Sequence, residues 1–354
     1  MKVLTINPGS TSTKIAVFDN NAPVFETVLR HGAGELAACD TLDKDLWFRR
    51  GLIEDALKTH SVDGSELAAV IGRGGLMRPL EGGVYKVNAA MLDDLRSLKY
   101  GDHASNLGAF LAKAIAEPLN IPAFIADPVV VDELQPMARL SGYPEIPRVS
   151  IFHALNQRAV SKRYAASIGK NYEDMNLIVA HMGGGVSVGA HNKGRIIDVN
   201  NGLDGEGPYS AERCGSLPMS GLVRYVCAHR SDSPEAIIKR LIKTGGLMGY
   251  LGTNDGREIS KKAEAGDEWF RLVYEGMAYQ IAKEIGACAA VLKGEVDSII
   301  LTGGFAYDEL LTGWIIERVS FIAPVIVMPG EDELIALAEA ALRVLNGQEE
   351  AKTY

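Results

Sequence analysis

Positive charge is in deficit in this chain. Its 36 Lys and Arg are outnumbered by 45 Asp and Glu, for a net charge of −9, which argues against a nucleic-acid partner, since such proteins carry a basic face. Cysteine is scarce: Cys39, Cys214, Cys227 and Cys288 lie far apart and form no C-x-x-C pair. A structural zinc site or a disulfide framework is therefore not expected, and a reducing cytoplasm fits best. No window approaches the ~20 apolar residues of a membrane span. The opening residues hold one lysine and pass straight into strand character, unlike a secretory leader. No membrane partner is expected. The two familiar glycine signatures for nucleotides are missing as well. Neither G-x-x-x-x-G-K-[ST] nor G-x-G-x-x-G occurs at the glycine-rich turns, which argues against a P-loop or a Rossmann dinucleotide domain.

What is present is an ordinary globular composition, 47% hydrophobic and 23% charged over 354 residues, long enough for two domains with filled cores. The first nineteen residues organise the rest. Val3 to Ile6 is an apolar run rich in β-branched residues, Asn7 to Ser12 is a dense turn cluster, and Lys14 to Phe18 returns to strand character. The pattern predicts a β-hairpin with Asn7, Gly9, Ser10, Ser12 and Lys14 at or near its tip. Small residues let backbone N–H groups approach a phosphate, hydroxyls donate to its oxygens, and a cation sits nearby. A polar hairpin without a ligand would use the same residues.

Along the chain, a loop is expected over 31–40 and a helix over about 43–59. A strand over 67–72 leads to Arg73 and the glycines Gly74 and Gly75. Arginine at a strand end is either a solvated loop residue or a bidentate clamp for an anion. His103 stands at the start of a helix, where an anion is favoured. Asp127 closes a buried strand over 123–126, where open α/β sheets bind ligands; an Asx turn before Pro128 is the plain alternative. At Asn176 the opening pattern restarts: strand, then His181, Met182, Gly183, Gly184 and Gly185, then strand. Such a restart is the mark of a duplicated domain. Three successive glycines are entropically costly unless a close backbone approach needs them. A long loop over 200–218 carries Arg213, and loops of that length tend to be functional. A strand over 297–301 ends at Gly303 and Gly304, and a last strand is expected over 322–327 before a terminal helix.

The strings NPGSTSTKIAVFD, HMGGGVSVGA, ERCGSLP and LTGGFAYDEL resemble the phosphate, substrate-arginine and adenosine motifs of the acetokinase family, within the actin, hexokinase and Hsp70 superfamily. IGRGGLMRPLEGG, VSIFHALNQRAVSKRYA and NNGLDGEGPYSAERCGSLP extend the resemblance, over nearly the whole chain, to its butyrate kinases. The resemblance implies an α/β chain of two duplicated RNase H-like (actin-like ATPase) domains with a nucleotide cleft between them. These would comprise 1–155 with 331–354, and 156–330. It implies reversible, Mg²⁺-dependent phosphoryl transfer between ATP and butyrate, giving ADP and butyryl phosphate, and a homodimer or higher homo-oligomer. By the same comparison Arg73 and Arg213 are the catalytic arginines, Asp127 the active-site aspartate, and His181 and His103 the phosphoryl- and substrate-contacting histidines. Asn7, Ser10 and Ser12 line the first phosphate turn. Asn7 and Glu333 serve the magnesium, with Glu331 a possible substitute for Glu333.

The chemistry calls for these residue types. A carboxylate acceptor is already ionised at neutral pH, so no base is needed. What remains is positioning and charge neutralisation by arginines, a histidine donor and glycine N–H groups. Where acetate kinases carry bulkier residues, this chain has Gly74, Gly75 and Ala180. That substitution is expected to open space for two more methylenes, each worth about 0.8 kcal/mol. Two alternatives stay open: a kinase for another short or branched acid, and a non-enzymatic nucleotide switch of the actin or chaperone kind.

Overall fold

The computed structural model describes residues 1–354. The chain divides into two units, Met1–Val131 with Asp332–Tyr354, and Asp132–Glu331. The break after Val131 falls earlier than the expected one after residue 155. The intervening segment is hydrogen-bonded into the second unit. Glu133 accepts from the Ile196 amide at 2.8 Å and from Arg158 at 2.6 Å, and the Gln135 amide donates to the Ile197 carbonyl at 2.9 Å.

In the first unit the strands are β1 (Lys2–Pro8), β2 (Ser12–Asp19), β3 (Ala22–Arg30), β4 (Leu67–Arg73), β5 (Val84–Lys86), β6 (Ala123–Ala126) and the C-terminal β12 (Lys352–Thr353). They form one sheet in the order β12-β5-β6-β4-β1-β2-β3. β1, β2 and β3 are antiparallel neighbours, while β4 and β6 run parallel to β1. Side chains alternate between faces along a strand. Leu4, Ile6, Ile15 and Val17 thus join the larger core with residues of α2 (Leu42–Thr59) and α4 (Leu107–Ala116). Ala16 and Phe18 meet Leu334 and Ala338 of α12 (Glu333–Leu345) on the other face. Two further helices, α1 (Ala33–Ala38) and α3 (Ala89–Ser97), complete the unit. Residues 31–40 were expected to be loop. They contain α1, which buries no side chain and so leaves no apolar period in the sequence.

In the second unit β7 (Asn176–Met182), β8 (Val186–Asn192), β9 (Arg195–Val199), β10 (Ser298–Gly303) and β11 (Val325–Pro329) take the order β11-β10-β7-β8-β9. This repeats β6-β4-β1-β2-β3, with the same parallel and antiparallel relations. The expected strand at 322–327 therefore lies later, over Val325–Pro329, and β12 rather than β11 is the last strand. Ile178, Ala180 and Met182 face the core under α10 (Glu268–Val291) and α11 (Glu309–Val319), whereas Leu177 and Val179 face α5 (Ala154–Ser167). The helices α6 (Met219–Ala228), α7 (Pro234–Lys243), α8 (Gly246–Leu251) and α9 (Gly256–Glu264) fill the stretch between the long loop and α10. No helix is long and apolar enough to cross a membrane.

Candidate active site

The first hairpin pairs Pro8 with Thr13, leaving Gly9 to Ser12 as its turn. The turn closes on itself through the Gly9 amide and the Ser12 carbonyl, 2.7 Å apart. Behind it lies Arg49 of α2, only 2% exposed, whose Nη1 donates to the carbonyls of Gly9 (2.9 Å) and Ser12 (3.3 Å) and to Thr13 Oγ1 (2.9 Å). Asp45 holds its Nε at 2.7 Å. A turn that offers amides to an anion must send its carbonyls elsewhere, and Arg49 receives two of them. Thr13 in turn meets His31 Nε2 at 2.9 Å. Burial and the neighbouring Arg49 charge lower the pKa of His31. Ser10 and Lys14 are exposed and Ser12 is half-buried. Ser10 and His103 line one cavity of about 500 Å³. His103 Nδ1 accepts from the Ser105 amide at 3.1 Å and so caps the short helical turn that follows it.

Arg73, at the end of β4, forms an ion pair with Glu333 at 2.7 Å, and the Asn7 side-chain amide donates to the same carboxylate. The structure thus brings Asn7, Arg73 and Glu333 together. Asp127 is placed differently. It is buried with φ +38° before Pro128, its carboxylate accepts from the Gly83 amide at 2.7 Å, and its own amide donates to the Gly83 carbonyl at 3.1 Å. A left-handed non-glycine residue before proline costs on the order of 1–3 kcal/mol. Asp127 carries that strain while pinning the loop ahead of β5.

In the second unit, β7 and β8 enclose Gly183, Gly184 and Gly185, a turn one residue shorter than that of the first hairpin. A Cβ on Gly185 would stand 2.0 Å from Arg213 Nη1 and 2.6 Å from the Gly202 carbonyl. The glycine is there because the arginine rests on the turn. Arg213 Nη1 donates to the Gly202 carbonyl, and the loop behind it is tied down by Ser210, whose Oγ donates to the Gly184 carbonyl at 2.7 Å. No carboxylate pairs with this guanidinium, and burial lowers its pKa against the opposing fields of Glu212 and Asp204. A part-buried cation without an anion is what an anionic ligand would complete.

His181 is 2% exposed. Its Nδ1 lies 2.8 Å from Asn156 Oδ1, its ring stacks on His153 at 3.9 Å, and its Nε2, without a hydrogen-bond partner, is 3.7 Å from Glu331 Oε1. Gly303 has φ +90°, and its missing Cβ would meet the Met182 backbone at 2.4 Å; nothing approaches the corresponding position at Gly304. Gly183, Gly184, Gly304 and Glu331 line a cleft of about 680 Å³ together with Asn254, Arg257 and Lys261 at and around α9. These last residues had no motif by which to be found. Glu331 and Glu333 therefore differ in setting: Glu331 lies beside His181 and the glycine turn, Glu333 beside Asn7 and Arg73.

The room expected from small residues is not there. A Cβ on Gly75 would fall 2.5 Å from Asn106 Cα, and one on Gly74 2.5 Å from Pro128 Cβ. Both positions are filled from their own unit, Gly75 by the side chain and backbone of Asn106 and Gly74 by Pro128 and the Ile125 side chain. Ala180 faces the α10 core, opposite to His181.

A model of the acetokinase family matches residues 147–310. The chain is 54% identical to butyrate kinase 2 of Clostridium acetobutylicum and 53% identical to butyrate kinase 1 of the same organism, each over 353 residues, all of this chain and 99% of those proteins. Among solved structures, Porphyromonas gingivalis acetate kinase superposes with a TM-score of 0.78 at 20% identity, covering 97% of this chain and 99% of that one. The latter likeness concerns the fold, two RNase H-like α/β halves of the actin-like ATPase kind. With identity this high over the full length, the chain belongs to the acetokinase family.

Proposed function

We infer that this chain is a butyrate kinase, transferring the γ-phosphoryl group of ATP reversibly to the carboxylate of butyrate. The observation that carries the reading is the full-length identity to two butyrate kinases. One O–P bond forms from the carboxylate oxygen as the β–γ bridging bond breaks, and the electron pair leaves with ADP. No proton need move, because the acceptor is already an anion. The protein's task is to hold two anions together.

The amides of the Gly9–Ser12 and Gly183–Gly185 turns, other than those of Gly9 and Gly183, which donate within their own turns, bind phosphate oxygens, with Ser10, Ser12 and Lys14 beside the first. Gly304 leaves space for the nucleoside, and Gly303 lets the Met182 backbone pack close behind it. Arg213 supplies the fork that its own unit leaves without a carboxylate, and Arg73 and His103 orient the acid. His181 meets the phosphoryl group; Asp127 acts by holding the Gly83 loop. No three His, Cys, Asp or Glu side chains converge on a ready-made metal cage. Glu333 and the Asn7 amide oxygen would hold a Mg²⁺ ion that keeps its waters and phosphate ligands, with the Glu333 carboxylate released from Arg73 and from the Asn7 amide nitrogen that it now meets. Bound there, it would neutralise charge on the phosphates. The enzyme would work in the cytoplasm as a homo-oligomer.

The test is acyl-hydroxamate formation from ATP, Mg²⁺ and hydroxylamine with acetate, propionate, butyrate, isobutyrate and valerate. Butyrate should give the highest kcat/KM. A different acid ahead would reassign the substrate. No turnover with any acid, despite ATP binding, would favour a nucleotide switch.

A further inference from the structure

The string HALNQ at the start of α5 has no role in the reading above, yet it surrounds His181. Asn156 is 5% exposed, and its side-chain amide has one orientation available. Nδ2 lies 3.3 Å from the Gly330 carbonyl and 3.2 Å from the Glu331 carbonyl, two groups that can only accept. Oδ1 therefore faces His181 Nδ1, 2.8 Å away, and the proton between them belongs to the imidazole. Neutral His181 is then the Nδ1–H tautomer, with a bare lone pair on Nε2. That atom is buried, has no hydrogen-bond partner, and lies 3.2 Å from where a Cβ on Gly183 would stand. His153 stacks flat on the ring with an interplanar angle of 12° and is itself anchored through Nδ1 to Ser187 Oγ at 2.9 Å. The ring can neither flip nor slide without breaking these contacts.

We propose that Asn156 is a positioning residue that fixes the tautomer of His181. With Nδ1–H committed to Asn156, only Nε2 is left to meet a phosphoryl oxygen at the glycine turn. It can donate to that oxygen only when the ring carries its second proton; the neutral ring would present a lone pair to an anion. Asn156 thereby holds the ring so that Nε2, and not Nδ1, faces that oxygen. The kinetic part of this inference rests on the phosphoryl transfer proposed above; the tautomer does not.

Long-range ¹H–¹⁵N correlation on ¹⁵N-histidine-labelled protein reads the tautomer directly, with the signal lost in His181→Gln giving the assignment. The neutral wild-type ring should show Nδ1 protonated and Nε2 bare. Asn156→Leu should move it to the Nε2–H form that unrestrained imidazoles favour. It should also lower kcat about 100-fold, the loss typical of a reacting group set free to move by about 1 Å, with smaller changes in the two KM values. Asn156→Asp keeps the acceptor but cannot donate to the Gly330 and Glu331 carbonyls; it should retain the Nδ1–H tautomer and a kcat well above that of the leucine variant. Wild-type His181 in the Nε2–H form would overturn the inference, even if neither variant folds. Equal loss in the two variants would also overturn it, leaving Asn156 as a brace for the carbonyls. An Nδ1–H ring in a protein inactive toward every acid would support the tautomer and sink the kinase reading instead.

Discussion

Gly185→Ala is the sharpest single perturbation the structure offers. The added Cβ would lie 2.0 Å from Arg213 Nη1, 2.7 Å from Arg213 Cζ and 2.6 Å from the Gly202 carbonyl. Carbon contacts settle at about 3.5–4.0 Å, so the guanidinium has to retreat by more than 1 Å, or the Gly202 backbone has to shift with it. A misplacement of about 1 Å in a catalytic group can cost about 100-fold in rate, and forcing a methyl group into a packed site about 1–3 kcal/mol of stability. Gly184→Ala is the internal control. It makes the same chemical change one residue earlier, with nothing within 4 Å of the new atom and no positive φ to strain. Thermal unfolding and hydroxamate kinetics on the two variants should diverge. Gly185→Ala should lose stability and about two orders of magnitude in kcat, whereas Gly184→Ala should keep its unfolding temperature. If both keep wild-type kcat and stability, the glycine is not what seats Arg213, and the argument from close approach fails.

Arg49→Met should raise the KM for ATP more than that for butyrate, because the freed carbonyls of Gly9 and Ser12 lose their donor; with charged donors worth about 1.5–3 kcal/mol each, the unfolding temperature should fall too. An unchanged ATP KM would mean the turn holds its shape unaided. Gly75→Val should destabilise by about 1–3 kcal/mol through collision with the Asn106 backbone, leaving the order of preferred acids intact; a stable variant shifted toward acetate would restore an acyl pocket at this position. His191, fully buried between Gln157 Oε1 at 3.0 Å and the Tyr172 hydroxyl at 2.8 Å, has its pKa pushed down to about 3 by burial and by the Arg158 charge. Its unfolded form binds a proton below about pH 6.5 and its folded form does not until near pH 3. Stability should thus be intact above pH 6.5 and fall by about 1.4 kcal/mol per pH unit as acid is added. Denaturant titrations should show that slope flattened in His191→Gln, and an unaltered slope would assign it to other groups.

What was legible in the sequence follows a physical division. The two glycine hairpins could be read because turn chemistry is local: Asn7 to Ser12 and Gly183 to Gly185 announce themselves within a few residues. Their shared strand order followed from the restart at Asn176. The residues that support them could not be read. Arg49 lies in a helix between Phe48 and Arg50 and looks like surface until its carbonyl partners arrive from the turn between β1 and β2. Gly75 and Ala180 misled because a missing side chain in a sequence does not say what fills the space, and here neighbouring backbone and core do so. α5 is the clearest case. From Ala154 to Ser161 every residue is buried, including Asn156, Gln157, Arg158 and Ser161, so no apolar stripe marks the buried face. A helix that buries amides and a guanidinium must satisfy them. It does so, for the amides and for the two terminal nitrogens of Arg158, with Gly330, Glu331, Ser187, Gly194 and Glu133. Hydrophobic residues would cover the sheet as well and without that constraint. Polar residues are warranted on this face because β7 sends His181 into it, and a histidine held in one tautomer needs an acceptor at a fixed distance, which an apolar core cannot supply.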